Sequence, residues 1–160
     1  MKTLILTIAL LTGLFSEQTY SQSITNWGEK VLGAQLSIAV TNNTISTGTN
    51  TIIQCRIKNS STNPISLTYP LMLPDDTHLF LINDSGKMLE LTPKQVSGST
   101  LIGPTVKGGE IYQWDKPLEV SSNIESGKYK LKATRFFYSV NGTNYQSGKL
   151  VSNLLEVQIK

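Results

Sequence analysis

Apolar and polar residues alternate along most of this chain, and this pattern constrains its fold more than any other feature. In AQLSIAVT (34–41) every second residue is apolar, and TIIQCRIK (51–58) repeats the pattern with Ile53, Cys55 and Ile57 on one face. A period of two is typical of a β-strand that buries one face. No stretch after residue 21 carries the 3.6-residue apolar stripe of an amphipathic helix. The pattern therefore predicts an all-β protein.

Turn-forming segments separate the alternating runs. THLFLIN (77–83) is apolar on both faces, as a central strand would be, and the turn NDSGK that follows predicts a hairpin over residues 78–92. In VNGT (140–143), Asn-Gly predicts a type I′ turn, because these residues accept its two positive φ angles. About seven to nine short strands with close turns predict an antiparallel β-sandwich. A β-barrel is the alternative, because both architectures bury one face of each strand.

The amino terminus has the three-part layout of a secretory signal peptide. A short basic start precedes the uncharged apolar run 3–15, and the small residues Thr19 and Ser21 occupy positions −3 and −1 of a cut before Gln22. We therefore predict a signal peptide over residues 1–21. An uncleaved anchor is the alternative, although the apolar run is shorter than the ~20 residues of a membrane-spanning helix.

Residues 22–160 suit a single domain that is secreted to the periplasm or the extracellular space. No run in this part is long and apolar enough to span a membrane. Cys55 is the only cysteine, which excludes a disulfide within the chain, and we predict that its side chain faces the core. The net charge of +3 is scattered, so it does not indicate a nucleic-acid partner or an anionic membrane.

A resemblance to known domains adds to this prediction. IESGKYKLKA (124–133) resembles the penultimate strand of immunoglobulin-like and fibronectin-like domains. In those domains a Gly-x-Tyr start places a tyrosine-corner hydroxyl on nearby backbone, which implies that role for Tyr129. The segments IKNSSTNPISL, DSGK, GGEIYQW and SNLLEVQI follow an order similar to that of bacterial immunoglobulin-like modules. The resemblance covers most of residues 31–160 and implies an immunoglobulin-like β-sandwich.

The same order of segments resembles the BsuPI-type bacterial proteinase-inhibitor domain. In that family an N-x-S…P strand, a D-x-G hairpin and a G-E…W strand recur, as they do here. This resemblance implies an alternative function, in which one stiff extended loop enters a protease cleft. The candidate loops are residues 93–109 and 141–148.

The residues with catalytic or metal-binding chemistry are few and scattered. His78 is the only histidine, so any Cys-His or Ser-His catalytic system would have to use it. Cys55 is predicted to face the core, away from a substrate. Asp75, Asp76 and His78 are close in sequence, but they lack the spacing of established metal ligands. We therefore predict no enzymatic activity, no metal and no cofactor. An enzyme remains the second alternative, and it would need polar groups clustered in a pocket.

Two aromatic features are candidates for a site. Trp27 precedes the first strand, and we predict that it folds over one open end of the sandwich, with a ligand contact as the alternative. In RFFYSVNGTNY (135–145), alternation continued from the preceding strand places Phe136 on the face of the outward lysines. Either a bulge shifts the register and packs both phenylalanines, or an aromatic binding face stands on the sheet. The residues predicted for that face are Phe136, Tyr138 and Tyr145, with Arg135 at the rim.

The predicted function is that of an exported, non-catalytic binding or interaction module of the cell envelope or the extracellular space. Its predicted partner is a protein or a surface glycan, bound through the aromatic face.

Overall fold

The computed structural model describes residues 26–67, 77–91, 104–141 and 144–160. These residues form eleven strands and no helix. The strands are β1 (Ala34–Val40), β2 (Thr44–Ile45), β3 (Asn50–Asn59), β4 (Ile65–Ser66), β5 (His78–Ile82), β6 (Met88–Leu91), β7 (Thr105–Val106), β8 (Ile111–Glu119), β9 (Gly127–Asn141), β10 (Asn144–Val151) and β11 (Leu155–Ile159). The predicted all-β class is confirmed.

The strands form a smaller and a larger sheet. The smaller sheet has three antiparallel strands in the order β1-β3-β8. The larger sheet has eight strands built around β9, which pairs with β4, β5, β10 and β11. Every pairing is antiparallel except that of β2 with β11. The predicted antiparallel β-sandwich is thus confirmed, and two-residue strands such as β2, β4 and β7 raise the strand number above the prediction.

The core lies between the inner faces of the two sheets. Alternate residues of β1, β3 and β9 supply much of it, as the period of two requires. Cys55 is fully buried among these apolar side chains, which confirms its predicted inward position. The largest fully buried side chains include Leu36, Ile38, Ile53, Ile57, Leu81, Leu131, Phe137 and Leu150.

Strand β9 changes its neighbours halfway along its length. Its first half lies between β11 and β5, and its second half lies between β10 and β4. The pairing of β9 with β10 runs without an extra residue from Thr134↔Val151 to Asn141↔Asn144. The bulge hypothesis is therefore wrong, because alternation continues unbroken and buries Phe137 while leaving Phe136 exposed.

Local hydrogen bonds confirm two of the predicted corners. The Tyr129 hydroxyl donates to the Glu125 carbonyl at 3.0 Å, as the tyrosine-corner resemblance implies. The β5–β6 hairpin closes where Gly86, at φ 79°, turns the chain and the Asn83 N–H donates to Lys87 O. In the β9–β10 hairpin, by contrast, Asn141 pairs with Asn144. The hairpin closes one residue later than Asn-Gly predicts.

The segment before β1 lies along the edge of that strand and over the outer face of the smaller sheet. The Gly28 N–H donates to Leu36 O at 2.9 Å. Gly28 also lies so close to the Val151 carbonyl that any Cβ would collide with it. Trp27 is half-buried, with the Arg56 guanidinium 5.6 Å from its ring centroid. The predicted place of Trp27 at an open end of the core is therefore wrong, because Arg56 belongs to the outward-facing set of β3.

Candidate binding face on the larger sheet

The outer face of the larger sheet carries an ordered group of lysines and phenylalanines. Because Leu131, Ala133 and Phe137 of β9 point into the core, the residues between them point away from it. Neighbouring strands add outward residues at matching register positions. We call this surface the lysine–phenylalanine face, and its members are Phe80, Lys128, Lys130, Lys132, Phe136 and Lys149.

Phe136 and Lys149 form the first cross-strand pair on this face. They are directly opposite each other in the β9–β10 register. The Lys149 Nζ lies 5.6 Å from the centroid of the Phe136 ring, which is within the range of a cation–π contact. Phe136 keeps 43 % of its surface exposed. The pair therefore stands open to solvent, with the ammonium over the ring.

Lys132 and Phe80 form the second pair, on the other side of β9. They are opposite each other in the β5–β9 register, and the Lys132 Nζ lies 5.8 Å from the Phe80 ring centroid. The His78 ring stacks near the same phenylalanine, with 6.4 Å between ring centroids. His78 Nδ1 in turn lies 2.5 Å from Glu90 Oε1 of β6. The second pair therefore lies beside the His78 ring, which in turn contacts the Glu90 carboxylate.

A buried residue separates the two pairs. Thr134 lies between Lys132 and Phe136 on β9 and is only 4 % exposed. His78 pairs with Thr134 on one side and Val151 pairs with it on the other. Because Lys132 and Phe136 are four residues apart on an extended strand, the two pairs lie about 13 Å apart along β9.

Lys128 and Lys130 extend the face towards the start of β9. They occupy the next outward positions, opposite Gln158 and Glu156 of β11. In the described part of the chain, none of the four lysines of this face makes an ion pair. A hollow of about 290 Å³ adjoins them, and it is lined by Asn43, Asp84, Lys128, Tyr129, Lys130, Glu156, Val157 and Gln158.

Arg135 does not belong to this face, so its predicted place at the rim is wrong. Its side chain is 8 % exposed and points inward, because neighbouring residues of a strand point to opposite faces. The guanidinium donates from Nη1 to Thr77 Oγ1 at 2.5 Å and from Nη2 to Leu67 O at 3.2 Å. It also lies 4.9 Å from the Trp114 ring centroid. Arg135 thus bridges the gap between β4 and β5 on the inner side of the sheet.

The other predicted site residues are Phe136, Tyr138 and Tyr145. Phe136 lies on the outer face at the centre of the first pair. In the backbone register of β9 and β10, Tyr138 is opposite Ser147 and Tyr145 is opposite Val140. Their side chains lie outside the described part of the structure.

The sequence-based prediction missed Phe80 and Lys149. Phe80 was obscured because its strand is apolar on both faces, although His78 and Phe80 alternate with the buried Leu79 and Leu81. Lys149 carries no local signal of a role, since its importance comes from the residue that it faces across the β9–β10 hairpin. Alternation predicted the outward position of the lysines of β9, but it did not predict which residues of neighbouring strands contact this face.

The candidate inhibitor loops are only partly described. Residues 144–148 belong to β10 and pair with β9, so their backbone is already hydrogen-bonded in the sheet. At the end of the other candidate loop, Thr105 and Val106 pair with β4. Residues 93–103 lie outside the described residues.

The metal-site candidates are described only at His78. Asp75 and Asp76 lie outside the residues that the structure describes. Within those that it does describe, no three His, Cys, Asp or Glu side chains come close enough together to hold a metal ion. A search of the same residues for a helix with the length and hydropathy needed to cross a membrane finds none.

Comparison with known proteins supports the fold of this chain but assigns it to no family. No family model matches the sequence, and no curated protein matches it. Among solved structures, the crystal structure of the C-terminal domain of wzt is similar at TM-score 0.50 and 13% sequence identity, over 88% of this chain and 80% of that chain. The structural genomics target SoR45 has a TM-score of 0.48 at 13% identity, over 78% of this chain and 86% of that chain. At this identity the likeness to the wzt domain supports the β-sandwich fold alone.

Proposed function

We propose that this protein is an exported, non-catalytic binding module that holds a surface partner on the lysine–phenylalanine face. One observation carries the proposal: two separate Lys–Phe pairs stand on the same outer sheet surface, each with an ammonium over an aromatic ring. The strands beneath them are paired on both sides of β9 in the larger sheet, and a preordered surface loses less entropy on binding than a mobile one. An immunoglobulin-like variant of the sandwich remains part of the proposal.

The chemistry of the described residues supports binding without turnover. The Cys55 thiol is fully buried, so it has no access to a substrate. His78 contacts Glu90 and Phe80 on an open surface, and no described nucleophile hydrogen-bonds to its ring. The hollow beside Lys128 and Lys130 is partly open to solvent, whereas general acid–base catalysis needs aligned groups that exclude water.

The location outside the cytoplasm is supported by the sequence of residues 1–21. Their basic start, apolar run and small residues before Gln22 are the features that a signal peptidase recognises. The test is to express the full chain and sequence the amino terminus of the exported protein. We expect the terminus at Gln22; a membrane-bound form that keeps Met1 would contradict the proposal.

The binding role is tested by a pair of matched surface variants. Phe136→Ser removes one ring of the lysine–phenylalanine face, and Ile111→Ser removes a similarly exposed apolar side chain (48 %) from the smaller sheet. An array of neutral and acidic polysaccharides and purified extracellular proteins is probed with both. We expect Phe136→Ser to weaken binding to the recognised probe about tenfold, as loss of a central contact does, and Ile111→Ser to leave binding unchanged.

Two results would overturn this proposal. One is equal binding by the two variants, which would place the site elsewhere. The other is a change in the chain length or the chemistry of the bound probe during incubation, which would make the protein an enzyme.

A further inference from the structure

We propose that the ligand of the lysine–phenylalanine face is a linear acidic polysaccharide that lies along β9. This inference rests on the proposed binding function and adds the chemical class of the ligand. It follows from the spacing of the lysines, the contacts that two of them make with the phenylalanine rings, and the net charge of the face.

The lysines form a line of positive charge. Lys128, Lys130 and Lys132 occupy alternate positions of one strand, so their α-carbons are about 7 Å apart. Lys149 continues the line beyond them, because it is paired with Phe136 four residues further along β9. The line from Lys128 to Lys149 is therefore about 27 Å long at 3.4 Å per residue. An extended chain with repeated negative charges could contact all four.

The rings hold two of these charges in place. The Lys132 ammonium lies over Phe80 and the Lys149 ammonium lies over Phe136, so each has a cation–π contact that favours one side-chain position before a ligand arrives. A preordered ammonium loses less side-chain entropy when it meets a carboxylate. The same geometry places a lysine over each ring, whereas single-stranded nucleic acid needs uncovered rings on which its bases stack. The arrangement therefore favours an acidic polysaccharide over a nucleic acid.

The aromatic rings of this face form two separate pairs rather than one central patch, although the exposed Val151 and Met88 add apolar surface near them. Phe80 and Phe136 are separated by the buried Thr134, and each ring has a lysine beside it. Stable protein interfaces gather aromatic residues into a central patch from which lysine is depleted. This pattern favours a hydrated polymer over a protein partner.

The net charge on the face is positive within the described residues. Two outward glutamates, Glu90 and Glu156, accompany the four lysines, and Asp84 lines the hollow beside Lys128 and Lys130. Glu90 is engaged with His78, and Glu156 makes no described ion pair with Lys130, which it faces across the β9–β11 register. Lysines without ion-pair partners on a stable surface are free to bind an external anion.

The test measures binding to immobilised polygalacturonate, an acidic polysaccharide. The double variant Lys132→Gln/Lys149→Gln removes the two ring-supported charges. The control Lys58→Gln/Lys107→Gln removes the same net charge from positions outside the face. We expect the unmodified protein to bind, the double variant to bind about tenfold more weakly, as the loss of two ionic contacts implies, and the control to match the unmodified protein. Raising the salt concentration should weaken binding by the unmodified protein more than by the double variant.

Neutral dextran and single-stranded oligo(dT) complete the test. One contrary outcome is binding to dextran that is lost in Phe136→Ser but unchanged in the double lysine variant. This outcome would overturn the proposal of an acidic ligand, while the proposed binding function would stand. Tighter binding to oligo(dT) than to polygalacturonate would overturn it in favour of a nucleic acid. Equal losses in the double variant and the control would overturn it as well, because net charge alone would then explain the binding. Thermal melts of both variants verify that each remains folded.

Discussion

The outer faces of the two sheets are covered to different extents, and on the smaller sheet the cover is partial, because Ile111 stays exposed. On the smaller sheet, Ser37 and Gln54 belong to the outward-facing set, yet both are buried, and Trp27 lies over Arg56. On the larger sheet, Phe136 and its lysine neighbours face solvent. Alternation therefore shows which side chains point away from the core, while packing by other segments determines whether those side chains are covered.

The largest expected difference lies between two adjacent phenylalanines. Phe137 is fully buried and Phe136 is exposed, although both belong to the same strand. Phe137→Ala should lower the free energy of unfolding by about 3–5 kcal/mol, because it leaves a cavity in the core. Phe136→Ala should change it by about 1 kcal/mol or less, since the residue makes one open cation–π contact. Chemical denaturation of both variants measures the difference, and similar losses would show that both rings are packed.

The cover of the smaller sheet depends on the close approach of Gly28 to the Val151 carbonyl. Gly28→Ala should lower the free energy of unfolding by about 1–3 kcal/mol, because backbone must move to admit a methyl group. Gly48→Ala is a contrasting variant, since a Cβ there meets no atom and only the positive φ opposes it. In a Trp114→Phe background, which leaves Trp27 as the only tryptophan, fluorescence during urea titration should report an earlier transition when Gly28→Ala is added. An unchanged transition would show that the segment is not tied to the sheet at this point.

Gln54 tests whether the covered part of the smaller sheet's outer face needs its polar groups. Its Oε1 atom is buried and makes no hydrogen bond with the described residues. Gln54→Leu should therefore raise the free energy of unfolding by about 1 kcal/mol, because an unsatisfied polar atom is removed. The matched variant Gln35→Leu should lower it, since the Gln35 Nε2 donates to Gly28 O at 3.0 Å. Thermal denaturation of the two variants measures these opposite changes. A lower stability of Gln54→Leu would mean that the Gln54 Oε1 atom has a hydrogen-bond partner.

The smallest effects are expected on the open face of the larger sheet. Lys132→Gln and Lys149→Gln should each lower the free energy of unfolding by about 0.5–1 kcal/mol, the size of an exposed cation–π contact. The Lys128→Gln variant should change it less, because Lys128 has no described ring beneath it. Calorimetry at low and high salt measures these values. A loss of several kcal/mol in either variant would show that the face contributes to folding more than to binding.

Much of the sandwich could be predicted from local pattern. Alternation in β1, β3 and β9 identified the buried faces, the inward position of Cys55 and the outward position of Phe136. The hairpin of β5 and β6 followed from its turn residues. These features depend on neighbours within a few residues, for which side-chain period and turn chemistry are sufficient.

The candidate site could be predicted only in part. Phe136 was identified, but Arg135 was assigned to its face although the same alternation carries it inward, where Thr77 and Leu67 accept its hydrogen bonds. The role of Phe80 emerges only when β5 lies beside β9 and brings it to Lys132. Residues far apart in sequence met through strand pairing, and no local pattern contains that information.

Local alternation establishes which side of each main strand is apolar, because successive side chains of an extended chain alternate between two faces. Strand pairing and long-range packing establish which outward residues become neighbours and which surfaces stay exposed. Lys149 reached Phe136 through the β9–β10 register, and Trp27 reached Arg56 when the preceding segment folded back along β1. Register and cover result from long-range packing, which minimises exposed apolar surface over the whole chain rather than within one strand.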